Sequence, residues 1–192
     1  FIGFTVLLFS LTVHEAAHAW SAWKLGDPTA RDLGRVSLNP VVHIDPIGTL
    51  LIPLLQLLYS GIPLLGWAKP TPVAAQNFRR LARGHVLVAL AGPSSNLLLA
   101  VLFTGGLFVG LRFFGLPPDP REPHLVVTLL TIGIQMNVVL ALFNLLPLPP
   151  LDGSWLVSWG LPRSISAPYD RIMEPYGQWI LLFLFVTSIL SR

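Results

Sequence analysis

Residues 84–111 read GHVLVALAGPSSNLLLAVLFTGGLFVGL, and residues 125–151 read LVVTLLTIGIQMNVVLALFNLLPLPPL. Neither stretch contains Lys, Arg, Asp or Glu. Each exceeds the roughly 20 apolar residues that carry a helix across a bilayer. The whole chain follows the same pattern. Of its 192 residues 53% are hydrophobic and 11% charged, against about 25% charged in an ordinary soluble domain. So few charges cannot cover a water-facing surface. Composition therefore argues against a soluble enzyme, a nucleic-acid binder and a disordered chain. The fold class it indicates is an all-α membrane protein.

Three further windows extend the pattern. Residues 1–23 are apolar except for Glu15 and the histidines beside it. Residues 46–68 carry no charge but hold Pro53, Gly61 and Pro63, which suit a bend. Residues 175–191 are uncharged over 17 positions, marginal for a straight crossing. The expectation is a single domain over 1–192: a polytopic bundle of about four membrane helices plus a re-entrant or hairpin segment near 46–68. A secretory signal peptide is a poor reading of the first window, which shows no basic start and no small-residue cleavage site. Between the windows lie polar stretches. Residues 24–45 mix both signs, residues 161–174 are interfacial, and residues 67–85 carry Lys69, Arg79, Arg80 and Arg83 with no acid.

Charge sets the orientation. The positive-inside rule assigns residues 67–85 to the cytoplasm. The 84–111 helix then leaves and the 125–151 helix returns, so residues 146–153 face the cytoplasm. If the histidines near the end of the first helix meet that stretch, residues 24–45 are cytoplasmic too. Both flanks of 46–68 then share one side, and that segment must double back. Irregular backbone at such depth is tolerated only inside protein or against a wet cavity.

The first helix carries His14-Glu15-Ala16-Ala17-His18, the pattern H-E-x-x-H. At i and i+4 two imidazoles share one helix face and can grip one ion. Imidazole suits Zn²⁺, and the adjacent glutamate can serve as general base toward water on that ion. In a soluble helix the same five letters commonly form a solvated polar face. Within a membrane helix a charge at mid-span costs on the order of 2.5–3.5 kcal/mol. Three ionisable groups clustered there need a compensating role, and metal binding supplies one.

A catalytic zinc takes three protein ligands and leaves a position open. The chain has no cysteine, so the third ligand comes from His43, His85, His124 or an acid. Asp152 stands out, at the end of Asn144-Leu-Leu-Pro-Leu-Pro-Pro-Leu-Asp152-Gly153. Pro147, Pro149 and Pro150 must break the helix there, which lets the chain fold back and aim a carboxylate inward. The competing role for Asp152 is to cap a following helix at 153–159. His43 reads as an interfacial loop residue, His85 as facing headgroups beside the arginines, and His124 as lying on the far side. Asn96 and Asn137 read as interhelical hydrogen-bond formers. Asn144, eight residues before Asp152, can line the site and hold a substrate carbonyl or oxyanion.

Together these residues resemble the site-2 protease family of intramembrane zinc metalloproteases, in particular short prokaryotic members without PDZ or CBS domains. The resemblance rests on His14-Glu-Ala-Ala-His18 in a membrane helix, Ala91-Gly-Pro in a core helix, and Asn144 to Gly153. Leu25-Gly-Asp-Pro-Thr-Ala-Arg31, Leu38-Asn-Pro40 and Gly66-Trp-Ala-Lys-Pro70 look like that subgroup. Ser154 stands where the family usually has a second glycine. The resemblance implies one zinc per chain on His14, His18 and Asp152, Glu15 as catalytic base and a substrate-facing Asn144. It implies a core of three central helices and hydrolysis of peptide bonds in transmembrane protein substrates, of the regulated intramembrane proteolysis type. The setting would be a prokaryotic plasma membrane with the site toward the cytoplasm, a lipid bilayer around the bundle and no nucleic-acid partner. The oligomeric state stays open. Two rivals are a metal-ion transporter and a catalytically inactive regulatory membrane protein. The lack of other acids in the membrane windows counts against the first, and intact Glu15 against the second.

Overall fold

The computed structural model describes residues 2–58, 66–115 and 124–187. Among these the chain forms α1 (Ile2–Lys24), α2 (Thr29–Asp32), α3 (Ile52–Leu58), α4 (Leu81–Phe113), α5 (Leu125–Asn144), α6 (Asp152–Gly160) and α7 (Arg163–Val186), and no strand. Three helices are long and apolar enough to cross a membrane: α1 with 23 residues, α4 with 33 and α5 with 20. At 1.5 Å per residue they measure about 35, 50 and 30 Å, against a hydrocarbon core of about 30 Å. They match the three central helices expected.

These helices face their surroundings with apolar side chains and each other with polar ones. Leu98, Val101, Leu102 and Phe108 on α4 are exposed, as are Val139 and Leu142 on α5. Ser10, Thr12, His14, His18, Asn96 and Asn137 are buried. Hydrocarbon solvates apolar side chains as well as a core does, so close packing and interhelical hydrogen bonds hold such bundles. α4 is the hub, packing on α1, α5 and α6.

The segment near 46–68 departs from its base and comes back to it. Asp45 caps a π-helical turn over Pro46–Leu51, accepting from the Ile47 and Gly48 amides at 3.0 and 2.7 Å. That turn continues into α3. Gly61 and Pro63 lie outside the described residues. Beyond them, the Trp67 amide donates to the Gly48 carbonyl at 3.2 Å and the Lys69 amide to the His43 carbonyl at 2.8 Å. The Thr49 hydroxyl donates to the Trp67 carbonyl at 2.7 Å. The two ends stand side by side, as in a hairpin and unlike a single crossing.

Buried Asp27 ties the two flanking loops together. Its carboxylate accepts from the Thr29 and Ala74 amides at 3.1 and 2.7 Å and from the Asn77 side chain at 2.9 Å. Burial alone would raise its pKa. The hydrogen bonds from Thr29, Asn77 and Ala74 outweigh burial and hold the carboxyl below its usual range.

The 175–191 stretch falls in α7 and in residues past it that lie outside the described set. α7 opens on the polar residues expected at the interface and carries Pro168 and Pro175 within it. It is not among the three helices that meet the length and hydropathy of a span. α7 touches the proline break and α6: the Tyr169 hydroxyl donates to the Pro147 carbonyl at 3.0 Å, and the Ser158 hydroxyl of α6 to Asp170 at 2.6 Å.

Candidate metal centre

His14 and His18 sit one turn apart on the buried face of α1. Each imidazole is fixed from behind by α4. His14 Nδ1–H donates to Asn96 Oδ1 at 2.6 Å, and His18 Nδ1–H donates to the Val88 carbonyl at 2.7 Å. A backbone carbonyl cannot donate, so Nδ1 of His18 carries the proton and Nε2 offers a lone pair. Pro93 inside α4 removes an amide donor from the helical ladder. Asn96 is oriented in turn. Its Nδ2 donates to Asn137 Oδ1 at 2.9 Å, and Asn137 Nδ2 donates to Ser10 Oγ at 2.9 Å and to the Gly133 carbonyl at 2.8 Å. This chain of amides leaves Asn96 Oδ1 to accept from His14.

Asp152 reaches the same point from the first turn of α6. Its carboxylate oxygens lie 3.2 Å from His14 Nε2 and 3.3 Å from His18 Nε2. The two Nε2 atoms are 3.0 Å apart. Gly153 makes this approach possible: a Cβ there would overlap the Leu145 and Leu146 carbonyls. The expected helix follows as α6, so Asp152 both starts a helix and faces the histidines.

Two lone pairs and a carboxylate converge with no donor among them, and such a set is satisfied by a cation. Tetrahedral Zn²⁺ with bonds of about 2.0–2.2 Å holds neighbouring ligand atoms about 3.3 Å apart, close to the spacing found here. Gly92 supplies the room, since a Cβ on it would overlap Nε2 of both histidines. The residues fit a zinc ion. His14, Glu15 and His18 place their ligand atoms within 4.8 Å of one another.

Glu15 also reaches the stretch that follows the hairpin base. Its Oε2 accepts from the Thr71 amide at 2.9 Å and the Thr71 hydroxyl at 2.7 Å. Asn144 Nδ2 donates to the Leu140 carbonyl at 2.9 Å, so its amide turns back on α5.

Two histidines correct or refine their expected places. His85 is buried, not facing headgroups. It stacks on Trp155 and Trp159 of α6, with ring centres 4.9 and 4.3 Å away. Those two tryptophans share a face at i and i+4, and the stack secures α6, hence Asp152, against α4. His43 is buried with Nε2 at 2.9 Å from the Ser37 carbonyl, a structural place. His124 heads α5. Thr71 and Val88 carried no functional signal in the sequence, whereas Gly92 stood in the Ala91-Gly-Pro stretch of the resemblance without a stated role. Asn96 was legible as an interhelical bond former, and it is one, but its second bond is to a candidate ligand.

Peptidase family M50 matches residues 120–187. The chain is 43% identical over 184 residues to the candidate zinc metalloprotease YwhC of Bacillus subtilis (strain 168), covering 95% of this chain and 79% of that one. It is 33% identical over 188 residues to the candidate zinc metalloprotease Rip2 of Mycolicibacterium smegmatis, covering 96% of this chain and 66% of that protein. Against Rip2 of Mycobacterium tuberculosis (strain H37Rv) identity is 32%, over 93% of this chain and 63% of the relative. The chain thus spans about four fifths of the first relative and slightly under two thirds of the other two. No solved structure matches it. The chain belongs to peptidase family M50, the site-2 protease family, and is an integral membrane protein.

Proposed function

We propose that this chain is an intramembrane zinc endopeptidase that cleaves peptide bonds in membrane-embedded protein substrates, in the manner of regulated intramembrane proteolysis. One observation carries the reading: Nε2 of His14, Nε2 of His18 and the Asp152 carboxylate converge within 3.0–3.3 Å, beside a glutamate on the same helix. These three residues would hold one zinc ion per chain. When bound, zinc supplies Lewis acidity toward a carbonyl and brings the pKa of coordinated water down to about 7.

The protein's own groups then do the following. Thr71 holds Oε2 of Glu15, so Oε1 is the oxygen that takes the proton from attacking water and later returns it to the leaving amine. Asn96 and Val88 fix both imidazole tautomers. Asn144 closes α5 at the proline break and turns its amide from Leu140 to hold the scissile carbonyl. His18 precedes the end of α1 by six residues, about 9 Å along the axis. Water therefore has a short path from that end, and the cations of the 67–85 loop support a cytoplasmic side for it, in a prokaryotic plasma membrane as for the bacterial relatives.

The test uses the full chain in proteoliposomes with a transmembrane model substrate. Glu15→Gln is expected to retain zinc and lose cleavage, and Asp152→Ala to lose both. Zinc-loaded wild type that cleaves nothing, yet moves the ion across the vesicle, would establish the transporter instead.

A further inference from the structure

The C-terminal end of α1 and the N-terminal end of α4 border a half-open cavity of about 190 Å³ lined by Lys24, Leu25, Arg79, Arg80, Arg83 and Gly84. Four cations line it and no acid does. Two acids of the loop that follows α1 are committed elsewhere. Asp27 is buried among its own donors, and Asp32 pairs with Arg31 at 2.7 Å. α4 begins at this cavity without a side-chain cap on its first amides. A 33-residue helix brings a positive dipole end to the same place. Cations crowded together without counter-charge repel, and a bound anion removes that cost.

The height of the cavity identifies the anion. α4 is about 20 Å longer than a hydrocarbon core, so one end must project into the headgroup layer. Beside the cavity the Lys24 ammonium lies 4.5 Å from the Trp23 ring centre, and Trp20 is exposed. Tryptophan and lysine at a helix end mark the membrane interface. We propose that this cavity seats the phosphate headgroup of an anionic phospholipid, bridging α1 and α4, the two helices joined by the His18–Val88 hydrogen bond. Basic pockets between membrane helices are suited to such headgroups.

The experiment uses the purified full chain in micelles, titrated with phosphatidylglycerol and separately with phosphatidylcholine, with bound lipid counted by native mass spectrometry. Wild type is expected to retain one phosphatidylglycerol and to discriminate against phosphatidylcholine. Arg79→Gln/Arg80→Gln/Arg83→Gln should weaken retention by about tenfold or more. The triple lysine variant should keep it, and Arg163→Gln/Arg171→Gln, which removes exposed cations on α7, should leave it unchanged. If the triple glutamine variant loses its helical signal, Lys24→Gln carries the test, and a retention equal to wild type then counts against the seat. Equal retention of both lipids overturns the proposal. So does displacement by inorganic phosphate at matching concentration, which would make the cavity a general anion site. Lipid counting needs neither zinc nor cleavage, so its failure leaves the proposed protease function untouched.

Discussion

Thr71 gives both of its donors, amide and hydroxyl, to one carboxylate oxygen of Glu15, across 56 residues of sequence. The contact holds Oε2, which in the proposed mechanism leaves Oε1 for proton transfer. Pro70 and Pro72 flank Thr71, so the backbone that presents the donors is held extended.

Removing the hydroxyl leaves the amide in place. Thr71→Val is therefore expected to lower kcat about tenfold while KM stays near wild type, and Thr71→Ser to restore the rate. Steady-state cleavage of a transmembrane reporter peptide in proteoliposomes measures both. A parallel rise in KM with unchanged kcat would assign Thr71 to substrate binding instead.

Gly92 fills no space of its own, and a Cβ there meets both imidazole tips. Gly92→Ala should weaken zinc binding at least about tenfold, because either histidine must rotate off its hydrogen bond to make room. Zinc competition against a fluorescent chelator reads the affinity. Unchanged affinity would mean that the ion does not sit between the two Nε2 atoms.

The amide relay from Ser10 through Asn137 and Asn96 orients His14 from behind. Asn96→Ala should cost about 10–100-fold in zinc affinity, in the range of other supporting partners of metal-bound histidine. Asn137→Ala leaves the Asn96–His14 bond standing and should cost less metal affinity, while lowering bundle stability by about 1–2 kcal/mol. Equal losses of zinc affinity from the two variants would show that the relay acts as a unit.

Asp27 gives a pH signature outside the membrane helices. Its folded pKa lies below the unfolded value of about 3.9. The stability it contributes is present above about pH 4 and is lost as pH falls through the folded pKa. Asp27→Asn should flatten the acid limb of a thermal unfolding profile in detergent. An acid limb as steep as that of wild type would assign it to other carboxylates.

The sequence by itself determined what depends on nearest neighbours along the chain. Charge-free runs marked α4 and α5, and an apolar run broken only by Glu15 and its histidines marked α1, because hydrocarbon excludes charge whatever the fold. The spacing of His14 and His18 put both on one face, because a helix repeats every 3.6 residues. Proline and glycine before and after Leu151 marked the break that frees Asp152 to point inward. Tertiary structure alone decided the contacts between elements far apart in the chain. Thr71 meets Glu15, Val88 meets His18, and Asn96 meets His14 across 56, 70 and 82 residues. Their residue types carry no periodic signal, since one hydrogen bond at one helix crossing needs only one donor or acceptor at the right height. His85 was misplaced for the same reason: its arginine neighbours in sequence pointed to headgroups, while the packing of α6 on α4 buried its ring between tryptophans.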